Sequence, residues 1–485
     1  MKFYVTTSIP YVNSQPHIGF GMELVAADVL ARYHRQVGDE VLFSTGTDEH
    51  GGKIAEKAAE VKQTPQQFAD QMSQSFREVL NILNISNDRF IRTTDAGHKQ
   101  RAQLIWQKLA GHIYKGTYEG WYCLGHEEYF PEATVKANKG VCPEHNRPYE
   151  RIKEANYFFK ASRFAAGIRQ AIETDALRVI PQSRKNEILA VLNAGLEDTS
   201  ISRPKDKINW GVPVPGDNTQ VMYVWFEALM NYITALGYPE HRDFKTFWPA
   251  DVQVIGKDIL RFHAAVWPAM LMALGLPPQK TLYAHGFIEV DRKKMSKSLG
   301  NVIEPRDVVK RYGTDAARYY LMRHIPSYGD GDFTWNLMDA AYNNELADQL
   351  GNAVSRTAAM VTKYQEGMIG SIPTPAHDIA TYKQAIADCR FDRALDEVWE
   401  QVRGLNQYID ETKPWQIAKE KDETHLREVL AYMAASLLEI AAMLAPFMPD
   451  TAAKIQDVFG SGVIKPLPTA LFPKAETAKA ASKTA

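Results

Sequence analysis

The strongest constraint on the fold is an alternation of β-like and helix-like runs that begins at the N-terminus, stops, and resumes far downstream. Phe3 to Thr7 reads as a strand, a helix opens near His17, and Val41 to Thr45 is β-like again. Helices lie around Thr64 to Leu83, and Arg89 to Thr93 precedes another helix through Trp106. Parallel strands cannot be joined by tight turns and need crossover helices, so this rhythm predicts a parallel sheet. Between about Gly116 and Lys207 it gives way to aromatic β-like pieces and two Cys-x-x-His pairs, which reads as an insertion. It resumes with Val221 to Leu236, a strand at Val252 to Gly256, a helix through Leu274 and a β-like run from Leu282 to Val290. After Trp335 the pattern turns helical, with Leu395, Val398, Trp399, Val402, Leu405, Tyr408 and Ile409 on one apolar stripe.

The expected architecture is α/β: a Rossmann-like parallel-sheet domain split by an inserted domain, followed by an all-α helical bundle. The expected boundaries are 1–115 for the first half, 116–207 for the insertion and 208–280 for the second half. A loop-bearing region follows at 281–335, the helical domain at 336–473 and a tail at 474–485.

With 485 residues, 45% hydrophobic and 24% charged, the chain is too long for one core and should form several domains. Its formal net charge of -2 excludes a protein that holds nucleic acid by bulk charge, so any RNA contact must come from local patches. No apolar run is long enough to span a membrane, and Met1 to Tyr4 leads into a strand rather than a signal segment. A cytoplasmic protein is expected. Three cysteines, Cys123, Cys142 and Cys389, are too few for a disulfide framework and suit a reducing compartment.

Pro16-His17-Ile18-Gly19-Phe20 joins the first strand to a helix, where first-turn N–H groups left free attract phosphate and Gly19 admits a close approach. Lys294-Met295-Ser296-Lys297-Ser298 is a short loop after a β-like run, with two ammonium groups to fold over a triphosphate. Singly, His17 reads as a surface histidine and the lysines as a solvated loop. Jointly, the segments read as two halves of one ATP site. Val254 to Ile259 runs from strand to helix, where Gly256 and Asp258 suit adenosine and its ribose, although Asp258 equally suits an N-cap. Cys123-x-x-His126 and Cys142-x-x-His145 offer four ligands at tetrahedral spacing. One structural Zn²⁺ is expected there; the other reading is two buried thiols and two surface histidines.

The paired signatures resemble those of class I aminoacyl-tRNA synthetases, one letter apart: His-Ile-Gly-His in those enzymes is His17-Ile18-Gly19-Phe20 here. Four further segments narrow the resemblance to the methionyl-tRNA synthetases, and the similarity runs to about Pro473. They are Ile9-Pro10-Tyr11-Val12-Asn13, Gly46-Thr47-Asp48-Glu49-His50-Gly51, Val224-Trp225-Phe226-Glu227-Ala228 and Ala284-His285-Gly286. The resemblance implies activation of L-methionine by ATP with Mg²⁺, then transfer to the 3′-terminal adenosine of tRNA(Met). It implies catalytic roles for His17, Lys294 and Lys297, with Gly19, Glu23, Gly256, Lys257 and Asp258 also at ATP. It implies a methionine pocket of Ile9, Tyr11, Trp225, Ala228, Tyr232 and His285, with Asp48 on the ammonium group. Asn352, Arg356 and Trp415 are implied to read the anticodon.

Without the resemblance, Trp225 and Tyr232, seven apart on one apolar helix, read as core. Asn352, Arg356 and Trp415 then read as a helix surface and a helix junction. Related synthetases also carry a zinc knuckle, commonly with more cysteines. Phe20 cannot donate to a phosphate, so another donor, Asn13 or Lys297, is expected to take over. The alternative is a catalytically weak or silent tRNA-binding protein. No dimerising domain is evident after the helical region, so a monomer is expected.

Overall fold

A six-stranded sheet runs in the order Arg89–Arg92, Glu40–Thr47, Lys2–Thr7, Val252–Gly256, Thr281–His285, Arg178–Ile180. The chain is seen in a computed structural model that describes residues 1–125, 128–130, 132–143, 146–295, 300–370, 372–373, 378–464 and 467–474. Lys2–Thr7 pairs in parallel with both neighbours, placing Val5 opposite Phe43 on one side and Val252 on the other. Arg89–Arg92 and Arg178–Ile180 also pair in parallel with the strands beside them. Tyr4, Val5, Phe43, Val254, Ile255 and Leu282 are buried, the continuous apolar filling of a sheet covered on both faces.

The strand order reverses direction between Lys2–Thr7 and Val252–Gly256. In open α/β sheets the crevice beyond the carboxyl ends at such a point is the usual ligand site. Ile9 and Tyr11 follow the first of these strands, Asp48 follows Glu40–Thr47, and Gly256 ends the second. Gly46 lies opposite Ile91 at close quarters, where a Cβ would stand 2.0 Å from the Ile91 carbonyl oxygen, so only glycine fits.

Across the interval expected to be inserted, and starting three residues ahead of it, Thr199–Ser200, Glu150–Phe159, Ile113–Cys123 and Glu128–Phe130 form an antiparallel sheet. Arg178–Ile180, from the same interval, instead joins the edge of the central sheet. The single apolar helix expected through Trp225 and Tyr232 is two short helices, Val224–Ala228 and Asn231–Thr234. Asn231 Nδ2 donates to the Ala228 carbonyl at 2.7 Å and so competes with the helical ladder at the break.

The chain divides into two compact units. One comprises Met1–Pro16, Gly38–Glu78 and Ser86–Ala284; the other comprises His17–Val37, Val79–Ile85 and His285–Ala485. The second holds the C-terminal helices, of which Phe391–Thr412 and Glu423–Leu444 are the longest among the described residues. Leu395, Val398, Trp399, Val402, Leu405 and Ile409 of the expected stripe are buried, each burial contributing roughly 1.5–3 kcal/mol for the larger side chains. Tyr408 is half-buried and packs on Tyr432. Among the described residues no helix is long and apolar enough to cross a membrane.

Candidate functional site

The predicted residues divide between the two units. In the unit that holds His17, this residue caps the helix Ile18–Gln36: its Nδ1 accepts the Gly19 N–H at 3.1 Å. An accepting Nδ1 puts the ring proton on Nε2, so the neutral ring offers an Nε2–H donor. Part of His17 is open to solvent while protein crowds the remainder, and this desolvation lowers its pKa below the ordinary histidine value. Gly19 is required by the cap, because a methyl group there would stand 2.9 Å from Cε1 of His17.

The expectation of free first-turn N–H groups is overturned. Ile18 N–H donates to the Ile303 carbonyl at 2.9 Å, Gly19 N–H to the imidazole, and Phe20 N–H to the His17 carbonyl at 3.0 Å. A capping side chain and a passing segment have satisfied these orphan donors, so the helix start presents side chains rather than bare backbone. Phe20 itself is buried.

The same contacts bring the two signature segments together. Ile303 lies just beyond the lysine segment, and Met295 Cε is 3.8 Å from where a Gly19 Cβ would stand. Lys294 sits in the short strand Lys293–Lys294, antiparallel to Ile288–Val290, with its exposed Nζ 5.5 Å from the centre of the Phe287 ring. Lys297 lies outside the described residues. Buried Glu23 faces His285 Nε2 at 3.0 Å, while His285 Nδ1–H donates to the Gly286 carbonyl at 2.8 Å. One residue expected at ATP, Glu23, and one expected at methionine, His285, are thus partners here.

In the other unit, Tyr11 and Asp48 form a parallel bridge, with Val12 N–H on the Asp48 carbonyl at 3.1 Å and Asp48 N–H on the Pro10 carbonyl at 2.9 Å. The Asp48 side chain is buried, 3.4 Å from the Thr93 hydroxyl. Trp225 stacks flat on Phe262 at 4.3 Å. Tyr232 is fully buried and donates to His263 Nε2 at 2.7 Å, and His263 Nδ1–H donates to the Ile259 carbonyl at 3.0 Å. Tyr11, Trp225 and Phe262 pack on the cluster that contains Tyr232. Ala228 is buried and Ile9 half-buried. Lys257 and Asp258 occupy a single 3₁₀ turn whose capping position is Gly256, so Asp258, exposed, is not the N-cap.

Cys123 and Cys142 are fully buried in one small cluster with Val135 and Tyr149, and the Cys142 thiol is within hydrogen-bond reach of the Tyr149 hydroxyl. His126 and His145 lie outside the described residues. Among those described, no three ligating side chains cluster.

In the helical region Asn352 opens Asn352–Gln365 and donates to the Asp348 carbonyl at 2.9 Å. Arg356, one turn on, is paired with Asp410 at 2.9 Å. Trp415 is half-buried on Pro414–Glu420, a helix that starts anew because Lys413 is left-handed (φ 48°) and Pro414 cannot continue the preceding one.

Comparison with known proteins places this geometry. Residues 3–358 match the family described as tRNA synthetases class I (M), and residues 376–484 match an anticodon-binding domain of tRNA ligase. This chain belongs to the class I (M) tRNA synthetases. It is 41% identical to the methionine--tRNA ligase of Thermotoga maritima, over 94% of this chain and 75% of that protein. The Rickettsia bellii methionine--tRNA ligase is 42% identical, over 94% and 92%. Among solved structures, Mycobacterium tuberculosis methionyl-tRNA synthetase in complex with methionyl-adenylate matches with a TM-score of 0.90 and 34% identity, over 97% of this chain and 99% of that one.

Sequence reasoning missed the polar core that this synthetase builds behind Asp48. Fully buried Glu227 sits between His50 Nδ1 and His98 Nε2, each at 2.7 Å, and His98 Nδ1 meets the Thr234 hydroxyl at 2.8 Å. Burial alone would raise the Glu227 pKa, but the two imidazoles outweigh it and hold the carboxyl below its ordinary value. Glu49 accepts Arg92 Nε at 2.7 Å and the Thr47 hydroxyl at 2.7 Å, while Trp210 Nε1–H bonds its carbonyl at 2.6 Å. The only advance signal was that charged Glu227 stands amid apolar Trp225, Phe226 and Ala228.

Proposed function

We infer that the chain is a methionine–tRNA ligase, which activates L-methionine with ATP and transfers it to the 3′-terminal adenosine of tRNA(Met). The observation that carries this reading is agreement over nearly the whole chain with a structure holding methionyl-adenylate. In the first step a methionine carboxylate oxygen attacks the α-phosphorus, the bond to the β-phosphate oxygen breaks, and pyrophosphate leaves. In the second a terminal ribose hydroxyl attacks the methionyl carbonyl carbon and AMP leaves. Neither step needs a protein nucleophile, so the residues position and neutralise.

The roles proposed follow from these demands. Asp48 holds the substrate ammonium group at a site where burial leaves the charge pair little screened. Ile9, Tyr11, Trp225, Ala228 and Tyr232, with His285 assigned on the family pattern, wall an unbranched, polarisable side chain. His17, through Nε2–H, acts with Lys294 and Lys297 on the phosphates; Gly19, Glu23, Gly256, Lys257 and Asp258 serve the rest of the nucleotide. Mg²⁺ bound with ATP supplies further positive charge at the triphosphate. Asn352, Arg356 and Trp415 meet the anticodon, where Arg356 leaves Asp410 to do so.

The two buried thiols fit one structural Zn²⁺, completed by His126 and His145, which would cross-link a small domain with little core of its own. The chain acts as a cytoplasmic monomer in this reading. ATP–pyrophosphate exchange tested against all twenty amino acids should respond to methionine alone; no exchange with Mg²⁺ present overturns the function. Elemental analysis of natively purified protein should find one zinc per chain, and substoichiometric metal removes the zinc.

A further inference from the structure

We propose that Glu227 is a positioning residue for methionine selection, acting through His50 and His98. The proposal rests on the methionine pocket described above and adds a group that touches no substrate. Glu227 lies on the short helix that carries Trp225 and Ala228, and the next short helix carries Tyr232. His50 lies two residues past Asp48, and His98 stands on the helix Ala96–Lys108. One carboxylate therefore ties together the three elements behind the pocket: the ammonium-binding loop, the aromatic wall and a supporting helix.

The geometry admits little slack. Both carboxylate oxygens are taken at 2.7 Å, all three side chains are buried, and His98 passes its other nitrogen to Thr234. Thr234 closes the helix that holds Tyr232. An ionised Glu227 accepts His50 Nδ1–H and His98 Nε2–H, and His98 Nδ1 then accepts the Thr234 hydroxyl proton. Both carboxylate oxygens are thereby matched by ring N–H donors from two separate elements. A buried, fully matched network fixes distances far better than apolar contacts, which slide. Moving the Asp48 loop against the aromatic wall would alter the span between the substrate ammonium and sulfur, the two features that distinguish methionine from other apolar amino acids.

The test compares Glu227→Asp, which keeps the charge but shortens the clamp, with Glu227→Gln, which keeps the length but presents an amide N–H₂ to an imidazole N–H. Thr234→Val, close in volume, removes the last link together with a longer 3.4 Å contact to the Asn231 carbonyl, and stands in should either Glu227 variant fail to fold. Pyrophosphate exchange is measured with methionine and with norleucine, alongside melting temperature. Glu227→Asp should raise KM for methionine about tenfold, leave KM for ATP within about twofold, and narrow the methionine-to-norleucine preference. Glu227→Gln should do the same, and Thr234→Val should raise KM for methionine about threefold. A merely structural role would lower the melting temperature and depress activity with both substrates alike. Folded variants with native methionine KM and native selectivity overturn the proposal. If the native protein shows no methionine-dependent exchange, the function itself fails, which is a separate result obtained before any variant is made.

Discussion

In the unit that carries Asp48, several buried polar side chains pair with one another: Glu227 with two histidines, Glu49 with Arg92, Tyr232 with His263. In the unit that carries His17, two of the groups assigned to phosphate, His17 and Lys294, lie toward solvent, and the Lys294 ammonium rests over an aromatic ring. The contrast matches the ligands. A small zwitterion is selected by shape and one buried charge, so its site must be rigid and dry. A triphosphate is already highly charged, and exposed donors bind it without the heavy desolvation cost of burying them.

Substitutions at the two regions should separate cleanly, and the largest effect should come from the buried one. Asp48→Asn removes the carboxylate assigned to the substrate ammonium and should lower kcat/KM for methionine about a thousandfold, roughly 4 kcal/mol, with KM for ATP nearly unchanged. A parallel loss in ATP binding would erase the contrast. His17→Ala should slow single-turnover adenylation about a hundredfold while methionine binding, read by calorimetry, persists. The lost cap should cost about 1 kcal/mol of stability. Because the His17 pKa is depressed, the neutral ring and its cap persist through neutral pH; both weaken as pH falls from the ordinary histidine value through the folded one. Adenylation should therefore show an acid limb, and His17→Ala should lose it.

Trp415→Ala should reduce tRNA charging about tenfold and leave pyrophosphate exchange intact, since a stacked base contributes roughly 1–3 kcal/mol. Phe20→His gives the smallest change in chemistry. Phe20 is buried, so an imidazole there is desolvated and should cost about 1–3 kcal/mol of stability, read from denaturant midpoints, with adenylation little altered. A tenfold gain would instead identify Phe20 as a missing phosphate donor.

Much of the fold was legible because parallel sheets write their alternation into hydrophobicity: Phe3 to Thr7, Val41 to Thr45 and Val252 to Gly256 all lie in strands of the central sheet. The apolar stripe on Phe391–Thr412 was legible for the same reason, with Tyr408 only partly covered. The break between Trp225 and Tyr232 was not, because the Asn231 side chain bonds the Ala228 carbonyl there and competes with the helical ladder. Nor was the strand Arg178–Ile180, too short to carry a pattern and recruited by pairing with a segment about a hundred residues away in sequence. Around His17, residue types were readable but hydrogen-bond occupancy was not. Whether a first-turn N–H is free depends on Ile303, which no local rule connects to Ile18.

The sequence alone determined the class of fold, the family and the chemical types gathered for the reaction, because these are carried by periodicity and by motifs read within a few residues. Tertiary structure decided which of those groups are available. It committed the N–H groups beside His17, paired Glu23 with His285 and Arg356 with Asp410, and enclosed Glu227 between His50 and His98. Such pairings join residues far apart in the chain, and a hydrogen bond is settled by distance and angle, which only the folded chain supplies.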